Sequence, residues 1–359
     1  MRILFAVLSP ISADLGAAQM ALNLSHALSA MGIEVVVWTP HPVPPEIPWW
    51  RRIAWVRGKI AEYARQDGRF DMVDVPPVAV TRSLARQCAV IARGVQPDLL
   101  YLWTEVRYAG RVRPLSLAVW IASAMTSIYL AALVLAGWSR ARHILCLGSL
   151  DYEWMTRWFP WWRGKLVMYF NAVGDKERKA LAEVRRNRVP PSVPETRFLW
   201  LGRWAAHKGP DLLLDFLKQW LERHPDDRAT IAGCGPEVEK HLPLSLLRDG
   251  KIHLVPAYER RDLPKLLADH NAGLFTSRVE GWGLALQEML ESGMPVYATK
   301  AGAVADLRAE FPDLVREFPP GFGERIAILN PSPVSQEYLA RFSWTAIAAG
   351  YLEKIREKA

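Results

Sequence analysis

Unbroken apolar runs alternate with segments of helical periodicity along this chain, and the alternation stops once and begins again. "RILFAVLS" (2–9) is continuously apolar, as a parallel strand buried on both faces must be. "DLGAAQMALNLSHALSAMG" then carries apolar residues at helical spacing and ends on Gly32. "IEVVVWT" reads as the next strand, and further strands are predicted at 98–103 ("DLLYLW"), 143–148 ("HILCLG") and 165–169 ("KLVMY"). The stretch 183–196 is charged and proline-rich, as linkers are. The pattern restarts with a strand at 198–202, a helix at 211–224 and a strand at 229–233. Strands at 252–255, 272–277 and 295–299 follow, with helices over 262–270 and from about Gly283 to Ser292. Such alternation builds doubly wound parallel sheets. The 359 residues exceed one ordinary core. The expected architecture is therefore α/β, two Rossmann-like domains facing a central cleft. The expected divisions are 1–175, 176–340 and a C-terminal helix, 341–359, packing back towards the first domain.

Half the residues are hydrophobic and 23% are charged, which excludes a disordered chain. Cys88, Cys146 and Cys234 are far apart and odd in number, so neither a disulfide framework nor a zinc spacing follows, and a reducing compartment is expected. The apolar start is too short for a signal-peptide core and reads as a buried strand. Net charge is +8. Residues 1–175 carry 18 Lys/Arg against 12 Asp/Glu, and the remainder 27 against 25, so the excess lies in the first half. It suits an anionic membrane, a phosphorylated ligand or nucleic acid. With no zinc-finger or aromatic RNA-binding signature, nucleic acid is disfavoured.

Ligands of open α/β sheets bind beyond the carboxyl ends of the strands. Three segments of the second half meet that condition. In "LGRWAAHKGPDLLL", Arg203 and Lys208 lie five apart between a strand and a helix, a spacing that suits a diphosphate and equally a solvated basic loop. In "IAGCGP", Gly233 and Gly235 mark a tight turn and no more. In "SRVEGWGLALQEM", Glu280 precedes a helix start, Gly281 and Gly283 allow close backbone approach, and Glu288 lies about 7.5 Å along the helix. Free amides at that helix start form an anion site flanked by two carboxylates. A nucleotide sugar offers the matching order of sugar, diphosphate and ribose. Either glutamate alone also reads as a cap or a solvated side chain.

"GRWAAHKG", "AGCGP" and "SRVEGWGLALQEMLESGMPV" resemble the signature blocks of the family-4 retaining glycosyltransferases of the GT-B fold. "FNAVGD" (170–175) resembles that family's interdomain hinge, with Ala172 in place of the usual glycine, and "FSWTAIAAGYLEKI" (342–355) its C-terminal helix. The match is strong over 198–300, fair over 1–40 and weak over 45–140. The resemblance implies that Arg203 and Lys208 neutralise a leaving diphosphate together with the amides of Trp282, Gly283 and Leu284. It implies that Glu280 contacts the donor sugar, that Glu288 takes the ribose hydroxyls and that the base lies beside "VPAYERRDL". It also implies a hexosyl transfer with retention of configuration. No Asp-x-Asp site and no paired histidines occur, so no metal and no cofactor beyond the nucleotide-sugar donor is expected. No second carboxylate flanks a glycosidic bond as a hydrolase requires.

The first half departs from the family. Gly16 stands where a glycine pair would reach the donor phosphate, and Ala17 replaces the second glycine. No histidine occurs between Pro97 and Ser139, which leaves Thr104 and Glu105, expected on a loop facing the cleft, as substitutes, with Glu105 the candidate base. Residues 114–139 carry no charge and are long enough to span a membrane, yet the fold needs a strand and a helix there, which is the reading preferred, with partial membrane insertion as the main alternative. "IPWWRRIAWVRGK" (47–59) and "WFPWWRGK" (158–165) pair tryptophans with basic residues. In the first, Trp49, Trp50, Ile53 and Val56 would line one face of an amphipathic surface helix. These features point to a cytoplasmic enzyme, peripheral at the inner face of a membrane, acting on a lipid-linked or cell-surface polysaccharide precursor. A sugar-nucleotide epimerase of the same fold and a non-catalytic nucleotide-sugar-binding module fit the same residues.

Overall fold

A computed structural model describes residues 1–11, 16–112, 116–188, 195–242, 246–247, 249–323 and 331–357. The chain divides into two compact units, one of residues 1–102, 124–172 and 340–359, the other of residues 103–123 and 173–339.

The first unit is built on a six-stranded sheet of order β2-β1-β3-β4-β5-β6, parallel throughout. Its strands are β1 (Arg2–Ala6), β2 (Glu34–Trp38), β3 (Met72–Val75), β4 (Ala89–Arg93), β5 (His143–Leu147) and β6 (Leu166–Tyr169). The helices that precede β6 are α1 (Gly16–Ala30), α2 (Arg52–Gln66), α3 (Arg82–Gln87), α4 (Asp98–Val112), α5 (Leu117–Arg140) and α6 (Gly148–Trp158). Ile3, Leu4, Phe5 and Ala6 are all buried, as the unbroken apolar run of β1 requires.

Three expectations about this half are corrected. Residues 98–103 form no strand but the start of α4, because Pro97 and Asp98 are helix-start signals and a short apolar run alone is ambiguous. Thr104 and Glu105 therefore sit on a helix. The sheet positions are filled instead by β3 and β4, two short strands that sequence periodicity did not reveal. Residues 117–140 form one helix in place of the expected strand and helix, as a run rich in alanine and leucine with no glycine before Gly137 favours. Trp49 and Trp50 precede α2 and are exposed, while Val56, Ile60, Ala61 and Ala64 pack into the core, so the apolar face of α2 is not free for lipid.

The second unit repeats the design with order β12-β11-β10-β7-β8-β9, again all parallel. Its strands are β7 (Arg197–Leu201), β8 (Arg228–Ala232), β9 (Ile252–Val255), β10 (Ala272–Phe275), β11 (Val296–Ala298) and β12 (Val315–Glu317). Its helices are α7 (Asp175–Arg186), α8 (Pro210–Arg223), α9 (Leu263–Ala268), α10 (Leu284–Glu291), α11 (Val304–Glu310) and α12 (Gln336–Arg341). In α8, Leu213, Phe216, Leu217, Trp220 and Leu221 bury one face at helical spacing. The last helix, α13 (Trp344–Glu357), belongs to the first unit. Its Tyr351 hydroxyl donates to Asp74 Oδ2 at 2.9 Å, and Lys354 Nζ donates to the Met168 carbonyl at 2.7 Å. Asp74 also takes a two-pronged bond from Arg93, at 2.8 and 2.6 Å, which neutralises this buried carboxylate.

Candidate functional site

The sheet of the second unit grows outward from β7 in both directions: β8 and β9 on one side, β10 to β12 on the other. The chain reverses its direction of growth between β7 and β10. That switch point leaves two strand–helix loops side by side at the carboxyl end of the sheet, where open α/β folds bind ligands. The loop after β7 carries Arg203 and Lys208, and the loop after β10 carries Glu280, Gly281, Trp282 and Gly283.

The two loops are stitched together. The Thr276 hydroxyl donates to the Lys208 carbonyl at 2.8 Å and accepts from Trp200 Nε1 at 3.0 Å. Gly209 has φ +64°, and a Cβ there would lie 2.1 Å from the Thr276 carbonyl oxygen, so only glycine lets the loops approach this closely. The Arg278 amide donates to the His207 carbonyl at 2.7 Å, and its guanidinium forks onto Asp211, at the start of α8, with two bonds of 2.6 Å. Across this seam the Lys208 ammonium pairs with Glu280 Oε2, which also accepts from Ser277 Oγ at 3.2 Å. Burial pushes the Glu280 carboxyl up, but Lys208, with His207 and Ser277, more than offsets it and holds it below the ordinary value. Glu280 is therefore an anion at neutral pH, an acceptor for hydroxyl groups. Arg203 is exposed on the same loop.

Gly283 takes the left-handed conformation, φ +85°, and caps α10. Leu284 opens the helix, whose first amides have no acceptor within the helix and face outward from its positive end. Trp282 offers that region only its backbone: its ring is buried and its Nε1 donates to Gln287 Oε1 at 2.7 Å. Gly302, which sequence reading passed over, allows this geometry, since a Cβ there would meet the Trp282 carbonyl at 2.8 Å and Glu280 at 3.0 Å.

Glu288 lies inside α10 and is 2% exposed. Arg260, from the segment after β9, comes within 2.6 Å of its Oε1. The approach is close but poorly directed: among the described residues neither Glu288 Oε1 nor Arg260 Nε and Nη2 makes an aligned hydrogen bond. Burial raises the Glu288 carboxyl, and Arg260 only partly restores it. Burial also raises the Tyr258 hydroxyl, which Glu288 raises further. Tyr258 stands beside Gly233, whose absent side chain leaves room for the ring, 3.2 Å from where a Cβ would be. Arg260, Tyr258 and Arg278 were not found from sequence, where they are indistinguishable from solvated loop residues.

Glu105 lies on α4 within the second unit and is engaged by His207: its Oε1 accepts from the His207 amide at 3.1 Å and contacts His207 Nδ1 at 2.8 Å. It holds the residue next to Lys208. Thr104 is buried. Gly16 and Ala17 begin α1, but the preceding residues 12–15 and both their side chains lie outside the described residues. The linker residues 189–194 also lie outside them. Among the described residues no group of three His, Cys, Asp or Glu side chains is arranged to hold a metal ion.

Residues 183–311 match the family model of the glycosyl transferases group 1. The chain is 30% identical over 131 residues to an uncharacterized glycosyltransferase, YqgM, of Bacillus subtilis, a stretch covering 35% of this chain and 36% of that protein. It is 27% identical over 115 residues to a component of the human phosphatidylinositol N-acetylglucosaminyltransferase, covering 31% of this chain and 23% of that protein. The matched stretch thus spans about a third or less of these relatives. The fold matches the sucrose-phosphate synthase of Thermosynechococcus elongatus with a TM-score of 0.64 at 16% identity, over 99% of this chain and 94% of that one.

Proposed function

We propose that this chain, a GT-B protein whose residues 183–311 are a glycosyl transferases group 1 domain, moves a hexose from a nucleoside diphosphate sugar to an acceptor hydroxyl. The observation that carries the reading is the seam between β7 and β10. There a cation, a hydroxyl-accepting carboxylate and a helix N-terminus stand within two adjoining loops. Lys208, Arg203 and the first amides of α10 stabilise charge on the leaving diphosphate. Glu280 accepts from hydroxyls of the transferred sugar. Glu288, a buried carboxylate paired with Arg260, takes the ribose hydroxyls. The base stacks near Tyr258, with backbone contacts from the same segment. The bond between the anomeric carbon and the diphosphate breaks while the acceptor oxygen attacks from the same face. The acceptor proton passes to the departing phosphate oxygen, and configuration is retained. Fixed cations and a helix dipole supply this stabilisation without a metal. Glu105, already engaged by His207, positions the Lys208 loop and does not act as the base.

The acceptor is a lipid-linked or surface-polysaccharide precursor at the inner face of a membrane. The phosphatidylinositol-directed name of the human relative and the basic first half support this.

Thermal-shift screening against UDP, GDP, ADP and their sugars tests the donor assignment. A nucleotide at 100 times its Kd stabilises the fold by about 2.7 kcal/mol. No stabilisation by any nucleoside diphosphate overturns it. Stabilisation without transfer, but with interconversion of the sugar nucleotide, identifies an epimerase.

A further inference from the structure

The geometry points to α5 as a membrane-docking helix that lies along one leaflet with its outward face in lipid and does not cross the bilayer. A helix on the surface of a soluble unit turns its polar side outward. α5 does the reverse. Ile121, Met125 and Ile128 are exposed, the last two by 67% and 71%, with Ala132 and Leu135 continuing the same stripe at helical spacing. Its small polar residues Ser123, Thr126 and Ser127 sit half-buried on the other side. Leu117, Val119, Trp120 and Tyr129 widen the exposed face. An apolar surface this continuous marks an interaction site.

The occupant is anionic lipid and not a second copy of this chain. From 103 to 142 the sequence holds five arginines and one carboxylate, Glu105, with no charge between Pro114 and Ser139. Packing two copies through this segment would gather arginines of like charge, which costs affinity, whereas lipid phosphates complement them. Exposed tryptophans adjoin the helix, and tryptophan favours the membrane interface. At the carboxyl end of α5, Trp138 packs on Trp162 at 5.8 Å and on Phe159 at 5.5 Å, and the adjoining Trp158 and Trp161 are exposed. Trp103 is exposed on α4, with Arg107 over its ring at 5.9 Å.

Length decides between lying and spanning. Composition and length alone would let α5 cross a membrane. Its last two turns, however, belong to the core: Val134, Gly137 and Trp138 are buried, and a Cβ on Gly137 would meet the Pro77 carbonyl at 2.0 Å. The stretch before those turns, 117–133, is about 25 Å long, short of the roughly 30 Å hydrocarbon thickness that takes about 20 residues. Apolar on its outer face and flanked by cations, it suits insertion to the depth of the headgroup–acyl boundary.

The test is vesicle flotation of the full chain with phosphatidylcholine alone and with added phosphatidylglycerol, comparing wild type with Met125→Glu/Ile128→Glu. Both substituted residues are exposed, so folding, checked by circular dichroism and melting, is expected to be unchanged. Wild type is expected to float with anionic vesicles at low salt, and the variant to lose at least about tenfold in partitioning. Donor-nucleotide thermal shifts should be equal in both proteins, which separates this result from any failure of the donor assignment. Wild type that stays in solution with anionic vesicles, or a variant that floats as well as wild type, overturns the inference. So does a wild-type dimer by light scattering that the variant converts to monomer, because the face is then an interface between copies.

Discussion

The Lys208 ammonium and the Glu280 carboxylate meet between two loops that leave neighbouring parallel strands, β7 and β10, although 72 residues separate them in sequence. Each depends on the other. Lys208 keeps a largely buried carboxylate ionised, and Glu280 with the Thr276 bond fixes where the cation points.

Lys208→Met is therefore expected to do two things. Turnover falls by at least about 100-fold, because a preorganised cation at the leaving group is lost. The fold loses about 1–3 kcal/mol, because Glu280 is left without its main partner. The sign of its titration also reverses. In wild type the folded value is below the ordinary one, so the pair's stabilisation is present above the unfolded value of 4.5 and fades only as pH falls through the lower folded value. With Lys208 gone, burial dominates and Glu280 protonates at milder acidity. Melting temperature against pH for both proteins checks this. An unchanged acid limb rules out the coupling.

Glu280→Gln separates sugar recognition from nucleotide recognition. Affinity for the bare nucleoside diphosphate is expected to stay within about threefold of wild type, while kcat/KM for transfer falls by at least about 100-fold, a loss of about 2.7 kcal/mol in transition-state stabilisation. Isothermal titration and initial rates measure the two. Equal losses in both would remove the assignment of Glu280 to the sugar.

Glu288→Gln is expected to weaken nucleotide binding by at least about tenfold and to cost stability as well. The neutral amide relieves the burial of an ionised Glu288 but leaves the largely buried Arg260 cation without its counter-charge. A variant with wild-type nucleotide affinity contradicts the ribose role.

Chelation supplies a test of the metal-free reading. Transfer is expected to proceed unchanged after EDTA treatment. Loss of turnover that manganese or magnesium restores would falsify it.

In the first unit, Asp98 and Asp151 are both raised by burial, to about 8 and about 7 from 3.8, with Asp151 adding to the shift of Asp98. Asp151 accepts from the Leu147 amide at 3.0 Å, while Asp98 Oδ2 is buried with no hydrogen-bond partner among the described residues. A carboxyl raised on folding favours the fold while protonated, so stability falls as pH rises from the unfolded to the folded value, by up to about 1.4 kcal/mol per pH unit for each group. Asp98→Asn is expected to melt higher than wild type at pH 8–9 and to differ little at pH 4. The opposite order would show that the ionised Asp98 stabilises the fold.

The loop residues of the candidate site were legible in the sequence because they are local. Arg203, Lys208, Glu280, Gly283 and Glu288 each lie within a few residues of a strand end or a helix start, and those boundaries are written in glycines and apolar runs. What pairs with them was not legible. Arg278 reaches Asp211 because the sheet order sets β10 beside β7, while Arg260 reaches Glu288 and Glu105 reaches His207 across distances in sequence that no local pattern records. The segment from Pro97 to Ser139 shows the limit most plainly. Its apolar residues satisfy a strand and a helix equally well over a short run, so 98–103 was misassigned. With no charged residue between Pro114 and Ser139, nothing in the pattern of α5 marks which side faces out. Packing settled it: Gly137 closes against Pro77, which fixes the rotation of the helix and turns Met125 and Ile128 outward. Composition determined that this helix is apolar; only its anchoring in the core decided which apolar side remains uncovered.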